Sequence, residues 1–160
     1  MILSGVLPDQ ISFINVLSAC VHGGKVREAE EIFYSIQAKY GLEADMEHYS
    51  CMVDLYGRAG ELEKAEELVK RMPFEPDVVV WGALLGACGL HSCLEVGEFA
   101  AMGISEVEKD HPAVYSILSR IYGANGTRSG VFQLKKMIRK WQGKKQKAGS
   151  WIQSNLGLVT

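Results

Sequence analysis

After Asp110 the sequence contains no aspartate and no glutamate. Residues 111–160 hold nine lysines and arginines and sum to +9, whereas residues 1–110 hold all 19 acids with eight of the 17 bases and sum to −11. The net charge of −2 therefore hides two ends suited to different partners. No apolar run approaches the roughly 20 residues that a helix needs to cross a bilayer, so no membrane contact is expected. Met1–Asp9 lacks the charged stretch followed by an apolar one that marks a secretory leader. Four cysteines, at 20, 51, 88 and 93, form no Cys-x-x-Cys pair. Cys20 and Cys88 fall on apolar helix faces and are expected to be small buried hydrophobes with free thiols. His91 and Cys93 near Cys88 make three donors without a fourth, which is poor for zinc, so neither metal nor cofactor is expected. No nucleophile or acid–base constellation is visible, and an independent enzyme is not expected.

What is present is a period. Aromatic residues return at Phe13, Tyr49, Trp81 and Tyr115, at steps of 36, 32 and 34. Sixteen places after the first three stand Ala29, Ala65 and Gly97. Eleven places after stand Gly24, Gly60 and Gly126, with Ser92 in the third unit. Leu17-Ser18-Ala19-Cys20 reappears 68 residues on as Leu85-Gly86-Ala87-Cys88. Several positions in register at a 32–36 spacing mark stacked helical hairpins, none of which buries its apolar face alone. The expected fold is all-α, a right-handed superhelix of about four hairpins.

Apolar residues at helical spacing place the first A helix at about 10–22 and its B helix at about 25–39. The second pair is expected at about 46–58 and 61–72, where Pro73 and Pro76 forbid continuation. The third pair starts at Val78 and ends with a helix at about 94–107, in which Gly103 should cost roughly 1 kcal/mol against alanine. The fourth A helix is expected at about 112–123. Beyond Gly126 the pattern weakens, because Thr127-Arg128-Ser129-Gly130 is a poor helix start. Glu28, Glu30, Glu31, Glu61, Glu63, Glu66 and Glu67 fall on B helices or in turns, and the first A helix carries no charge. Net acidity therefore does not exclude an anionic ligand on the A-helix surface, although phosphate binding usually draws on lysine and arginine.

Four stretches carry a resemblance: PDQISFINVLSAC at 8–20, HYSCMVDLYGRAG at 48–60, MPFEPDVVVWGALLGAC at 72–88 and GSWI at 149–152. Through them the chain resembles the C-terminal end of a plant pentatricopeptide repeat protein of the PLS type, with its E region. The resemblance implies a long repeat at 10–45, a short repeat at 46–77, a first E unit at 78–111 and a degenerate second unit at 112–145. Residues 1–9 would be the tail of a preceding repeat and 146–160 a C-terminal tail, as in a fragment or truncated product. The sequence departs from the family at Gly126–Gly130, where Gly-Arg-Trp and an acidic pair are usual, and before Gly149, where a proline is missing.

In that family one repeat addresses one RNA base through the fifth residue of helix A and the last residue of the repeat. Carried over, the pairs are Ile14 with Asp45, and Ser50 with Asp77. Ile14 offers no hydrogen bond, so the first pair should read poorly; Ser50 with Asp77 resembles the purine-leaning type. The plainer reading of both aspartates is as N-caps of the next helix. The E units hold Gly82 and Ser116 at the fifth place. The resemblance implies an RNA-binding and recruitment module acting in C-to-U editing in a mitochondrion or chloroplast. Its partners would be single-stranded RNA, bound together with upstream repeats, and editing-complex proteins or a deaminase supplied in trans. Deamination needs His-x-Glu and Cys-x-x-Cys, and the chain has neither. Two other readings stay open: a protein-interaction scaffold, and a truncated product without independent function. Lys135, Lys136, Arg139, Lys140, Lys144, Lys145 and Lys147 could meet phosphates or an acidic partner, or be an ordinary solvated face.

Overall fold

The computed structural model describes residues 8–108 and 111–126, with residues 130, 132, 136 and 139. Among them are seven α-helices and no strand: α1 Gln10–Gly23, α2 Val26–Tyr40, α3 Met46–Ala59, α4 Leu62–Lys70, α5 Val78–His91, α6 Leu94–Val107 and α7 Pro112–Ala124. Residues 1–7 and 140–160, the latter including the expected C-terminal end of the fourth unit, lie outside the description.

Local chemistry sets the starts. Asp9, Asp45 and Asp77 cap α1, α3 and α5 by accepting backbone N–H bonds from the first turn, each typically worth about 1 kcal/mol. The eleventh place after each aromatic sets the stops. Gly24, Gly60 and Gly126 have φ of +64°, +80° and +73°, and Ser92 has +54°. The recurring glycine thus marks a left-handed residue that ends each A helix and turns the chain back.

The helices pair as α1/α2, α3/α4 and α5/α6, with α7 opening a further unit. The A helices form the continuous layer, α3 on α1, α5 on α3 and α7 on α5, and each B helix also touches the following A helix. Leu17, Leu84, Leu85 and Leu118 of the A layer are fully buried, each contributing about 1.5–3 kcal/mol. Of the recurring aromatics Phe13 and Trp81 sit in this core and Tyr49 and Tyr115 pack against it, and the first three in the chain meet other rings edge-on. Phe13 packs on Tyr40 at 5.1 Å, Tyr49 on Phe33 at 5.1 Å and Phe74 at 5.4 Å, and Trp81 on Phe99 at 5.1 Å. The small residues Ala29, Ala65 and Gly97 are buried where neighbouring helices come close; a Cβ at Gly97 would lie 3.1 Å from Ile121 Cδ1.

Two expectations need correction. Helix α4 stops at Lys70 rather than near 72, because Pro73 disfavours helical geometry at the residue before it and the turn begins with Arg71. Gly103, expected to weaken α6, is required by packing: a Cβ there would overlap the Trp81 indole, so the bare backbone seats the largest ring of the repeat. Gly130 plays a comparable part. It is helical, buried and pressed against Tyr122, which explains a glycine at an otherwise poor helix start.

Candidate nucleic-acid interface

Stacking of A helices puts equivalent positions of successive units in a row. Ile14 is the fifth residue of α1 and Ser50 of α3, with Gly82 and Ser116 fifth in α5 and α7. Ile14 and Ser50 are half-buried, as are Asp45 and Asp77. Asp45 Oδ1 accepts the N–H of Glu47 at 3.1 Å and of His48 at 3.3 Å. Asp77 Oδ1 accepts the N–H of Val79 at 3.0 Å and of Val80 at 2.9 Å. Both aspartates are therefore N-caps, the plainer of the two sequence readings. Each cap is made by one oxygen, and a carboxylate has a second acceptor.

Sequence reasoning missed three features of this surface. The first is His48, fully buried at the start of α3, with Nδ1 2.6 Å from Asp45 Oδ1 and Nε2 3.2 Å from the Gln10 carbonyl oxygen. The Asp-x-x-His spacing is a capping-box spacing and could have flagged it. Burial pushes the Asp45 carboxyl up, but the bonds from the His48 side chain and backbone outweigh it and hold the group below its ordinary value. The second is a pair of β-branched side chains at the second helical position, Ile11 (67% exposed) and Val79 (60% exposed). The third is a groove of about 380 Å³ between α3 and α5. Gly82 and Gly86 are among the small residues lining it, together with Leu90 and the Asp54–Arg58 pair. Arg58 Nε donates to both Asp54 oxygens, at 3.0 and 2.9 Å.

Of the basic candidates, Lys136 and Arg139 are helical and exposed. Lys135, Lys140, Lys144, Lys145 and Lys147 lie outside the described residues. Cys20 and Cys88 are buried free thiols, and burial pushes Cys88 up to about 12, consistent with a packing role. His91 donates from Nε2 to the Gly57 carbonyl at 3.0 Å. Among the described residues no group of three or more His, Cys, Asp or Glu is placed to hold a metal.

Family models match the chain in three places, PPR repeats at residues 11–39 and 40–73 and an E motif at 91–153. The chain belongs to the pentatricopeptide repeat proteins. A pentatricopeptide repeat-containing protein of Arabidopsis thaliana is 42% identical over 140 residues, 88% of this chain and 27% of its own length. A putative one from the same plant is 44% identical over 153 residues, 96% of this chain and 21% of its own length. Another, named as mitochondrial, is 40% identical over 96% of this chain and 25% of its own length. The chain thus spans about a quarter of the curated relatives that it matches. The crystal structure of the pentatricopeptide repeat protein PPR10 from maize superposes with a TM-score of 0.69 at 18% identity, over 91% of this chain and 21% of that one. At that identity the likeness concerns the fold: the hairpins stack as in a pentatricopeptide solenoid.

Proposed function

We propose that this chain is the RNA-binding and recruitment end of an organellar RNA-processing factor, without catalysis of its own, serving C-to-U editing. The observation that carries this reading is the row of fifth-position residues along stacked A helices, with Asp45 and Asp77 capping the A helices that follow the first two of them, each with a second oxygen to offer. Single-stranded RNA running along this row would meet Ile14 with Asp45 and then Ser50 with Asp77. Ser50 and Asp77 together offer a hydroxyl and a carboxylate to the edge of a base, while Ile14 offers only contact. The exposed Ile11 gives a base apolar surface to rest on. Repeat bounds of 10–45, 46–77, 78–111 and 112–145 follow from this reading, with Lys135, Lys136, Arg139, Lys140, Lys144, Lys145 and Lys147 serving phosphates or an acidic partner. The mitochondrial name of one relative supports an organellar site of action.

Recruitment is assigned to the first E unit, read at 78–111. Val79 and Leu90 (71% exposed) lie on an A helix whose fifth residue is Gly82, so this face has apolar contact to offer and no base-reading side chain. A deaminase or editing-complex protein supplied in trans would dock there.

The test is retention of single-stranded RNA by the chain at low salt. Binding should exceed that of duplex RNA and fall steeply as salt rises, because phosphate contacts release counterions. Equal retention of both forms, or none at low salt even with upstream repeats joined to the chain, would remove the RNA reading and leave the scaffold alone.

A further inference from the structure

We propose that His48 is a positioning residue that fixes the Asp45 carboxylate across the junction between the first two hairpins; the proposal rests on the reading that Asp45 faces RNA. His48 is fully buried, and its two ring nitrogens have partners on opposite sides of that junction. Nε2 lies 3.2 Å from the Gln10 carbonyl oxygen in the first turn of α1. A carbonyl only accepts, so Nε2 donates. Nδ1 lies 2.6 Å from Asp45 Oδ1, too close for two bare acceptors, so a proton lies between them. The Asp45 N–H also lies 3.2 Å from Nδ1, but a ring nitrogen that donates to Oδ1 has no lone pair left to accept it, so the shorter, charge-assisted contact is the one made.

The imidazole is a rigid plate. Fixing Nε2 against α1 fixes Nδ1, and through it Oδ1, so the placement of the first hairpin is passed to the carboxylate. The side chain of Gln10 ties the same turn a second time, donating from Nε2 to the Glu43 carbonyl at 3.2 Å. The second junction supplies the contrast. Asp77 makes the same two backbone bonds, yet the residue three places on is Val80, which has nothing to hold a carboxylate. Asp77 has its polar fifth-position partner, Ser50, whereas Asp45 has Ile14. A carboxylate that works without a polar partner depends more on its own orientation, and His48 supplies that orientation.

The experiment is titration of fluorescent single-stranded RNA with the 160-residue chain at low salt, read by anisotropy. The variants are Asp45→Asn, Asp77→Asn, His48→Val, His48→Gln and the two double changes with His48→Val. Helical circular dichroism shows which variants fold, and His48→Gln stands in if the valine variant does not. His48→Val is expected to weaken binding about three- to tenfold, the worth of one hydrogen bond. His48→Gln should recover most of it, because an amide N–H can reach Oδ1. The valine change should add nothing to Asp45→Asn and add fully to Asp77→Asn. Full additivity with Asp45→Asn would overturn the proposal, as would wild-type affinity in His48→Val when Asp45→Asn binds weakly. If neither aspartate variant changes RNA affinity, the RNA reading fails, and the hold is judged by unfolding midpoints. Coupling of Asp45→Asn with His48→Val supports it there, and additivity sinks it.

Discussion

At the first junction Tyr56 of α3 donates its hydroxyl to Glu30 Oε1 of α2 at 2.9 Å, and Lys64 reaches the same oxygen at 3.1 Å. At the second junction the residue in the place of Tyr56, seven after the recurring aromatic, is Cys88. The residue in the place of Glu30, seventeen after it, is Glu66, which pairs instead with Lys70 of its own helix at 2.6 Å. Packing differs in the same sense. Val21 and Leu55, both buried, hold the repeat positions in the first pair of units that Gly57 and Ala87 hold in the second; a Cβ on Gly57 would lie 2.5 Å from that of Ala87. One junction is held by large side chains and a pin between two polar side chains, the other by close backbone approach and the bond from His91 Nε2 to the Gly57 carbonyl. At the third, Tyr122 again donates to Glu98, so the pin returns in alternate units. Identical stacking does not require identical chemistry.

Opposite substitutions should break the two crossings. Leu55→Ala empties the first and is expected to cost about 2–5 kcal/mol, the range for a buried leucine. Gly57→Ala overfills the second and should cost about 1–3 kcal/mol. Adding Ala87→Gly should return part of the second loss and none of the first. Urea midpoints of the four variants test this, and a Gly57→Ala chain as stable as the parent would refute the close approach.

The polar pin sharpens the contrast through pH. Bonds from Tyr56 and then Lys64 hold the Glu30 carboxyl below its ordinary 4.5, while burial opposes them. A depressed carboxyl contributes stability that is present above its unfolded value and is lost as pH falls through the folded one. Asp45 is also depressed and works in the same direction below its ordinary 3.8. Tyr56→Phe should therefore cost about 1 kcal/mol near neutrality and flatten the acid limb of a stability profile taken from pH 7 to pH 3. Cys88→Ala should leave the shape of that limb unchanged. An acid limb identical in Tyr56→Phe and the parent would count against the pin.

The parts of this fold legible in the sequence were those in which the backbone admits few residues. The turn after each A helix needs a left-handed residue, so Gly24, Gly60 and Gly126 kept phase. Ala29 and Ala65 kept phase because neighbouring helices leave no room for more. The Tyr56–Glu30 pin stayed hidden because Cys88 replaces its tyrosine in the next unit, and a feature present in alternate units does not read as a repeat. Gly103 was misjudged because propensity counts what a glycine loses and cannot see the indole that fills its space. Of the candidate interface, the caps at Asp45 and Asp77 were legible from local pattern, whereas the pairing of Ile14 with Asp45 and Ser50 with Asp77 came from the resemblance. His48 escaped because its partner on Gln10 lies 38 residues away.

The smallest expected effect is a gain, at the one place where the repeat breaks its own rule. Ser92 has φ of +54° at the position where the other three units carry glycine, and it is the only non-glycine residue with positive φ among those described. A side chain in that conformation costs roughly 1 kcal/mol, since its Cβ crowds the following carbonyl. The serine side chain makes no cap here that its loss would forfeit: the N–H of Ser92 bonds the Cys88 carbonyl, and its carbonyl accepts from Asn125 Nδ2 at 2.9 Å. Both are backbone groups that glycine keeps. Ser92→Gly should therefore stabilise the third hairpin by about 0.5–1 kcal/mol, reduced from the full strain because glycine has more freedom to lose on folding. A rise in the urea midpoint with an unchanged slope would bear this out. A fall would mean that the hydroxyl contributes more at this turn than the strain costs.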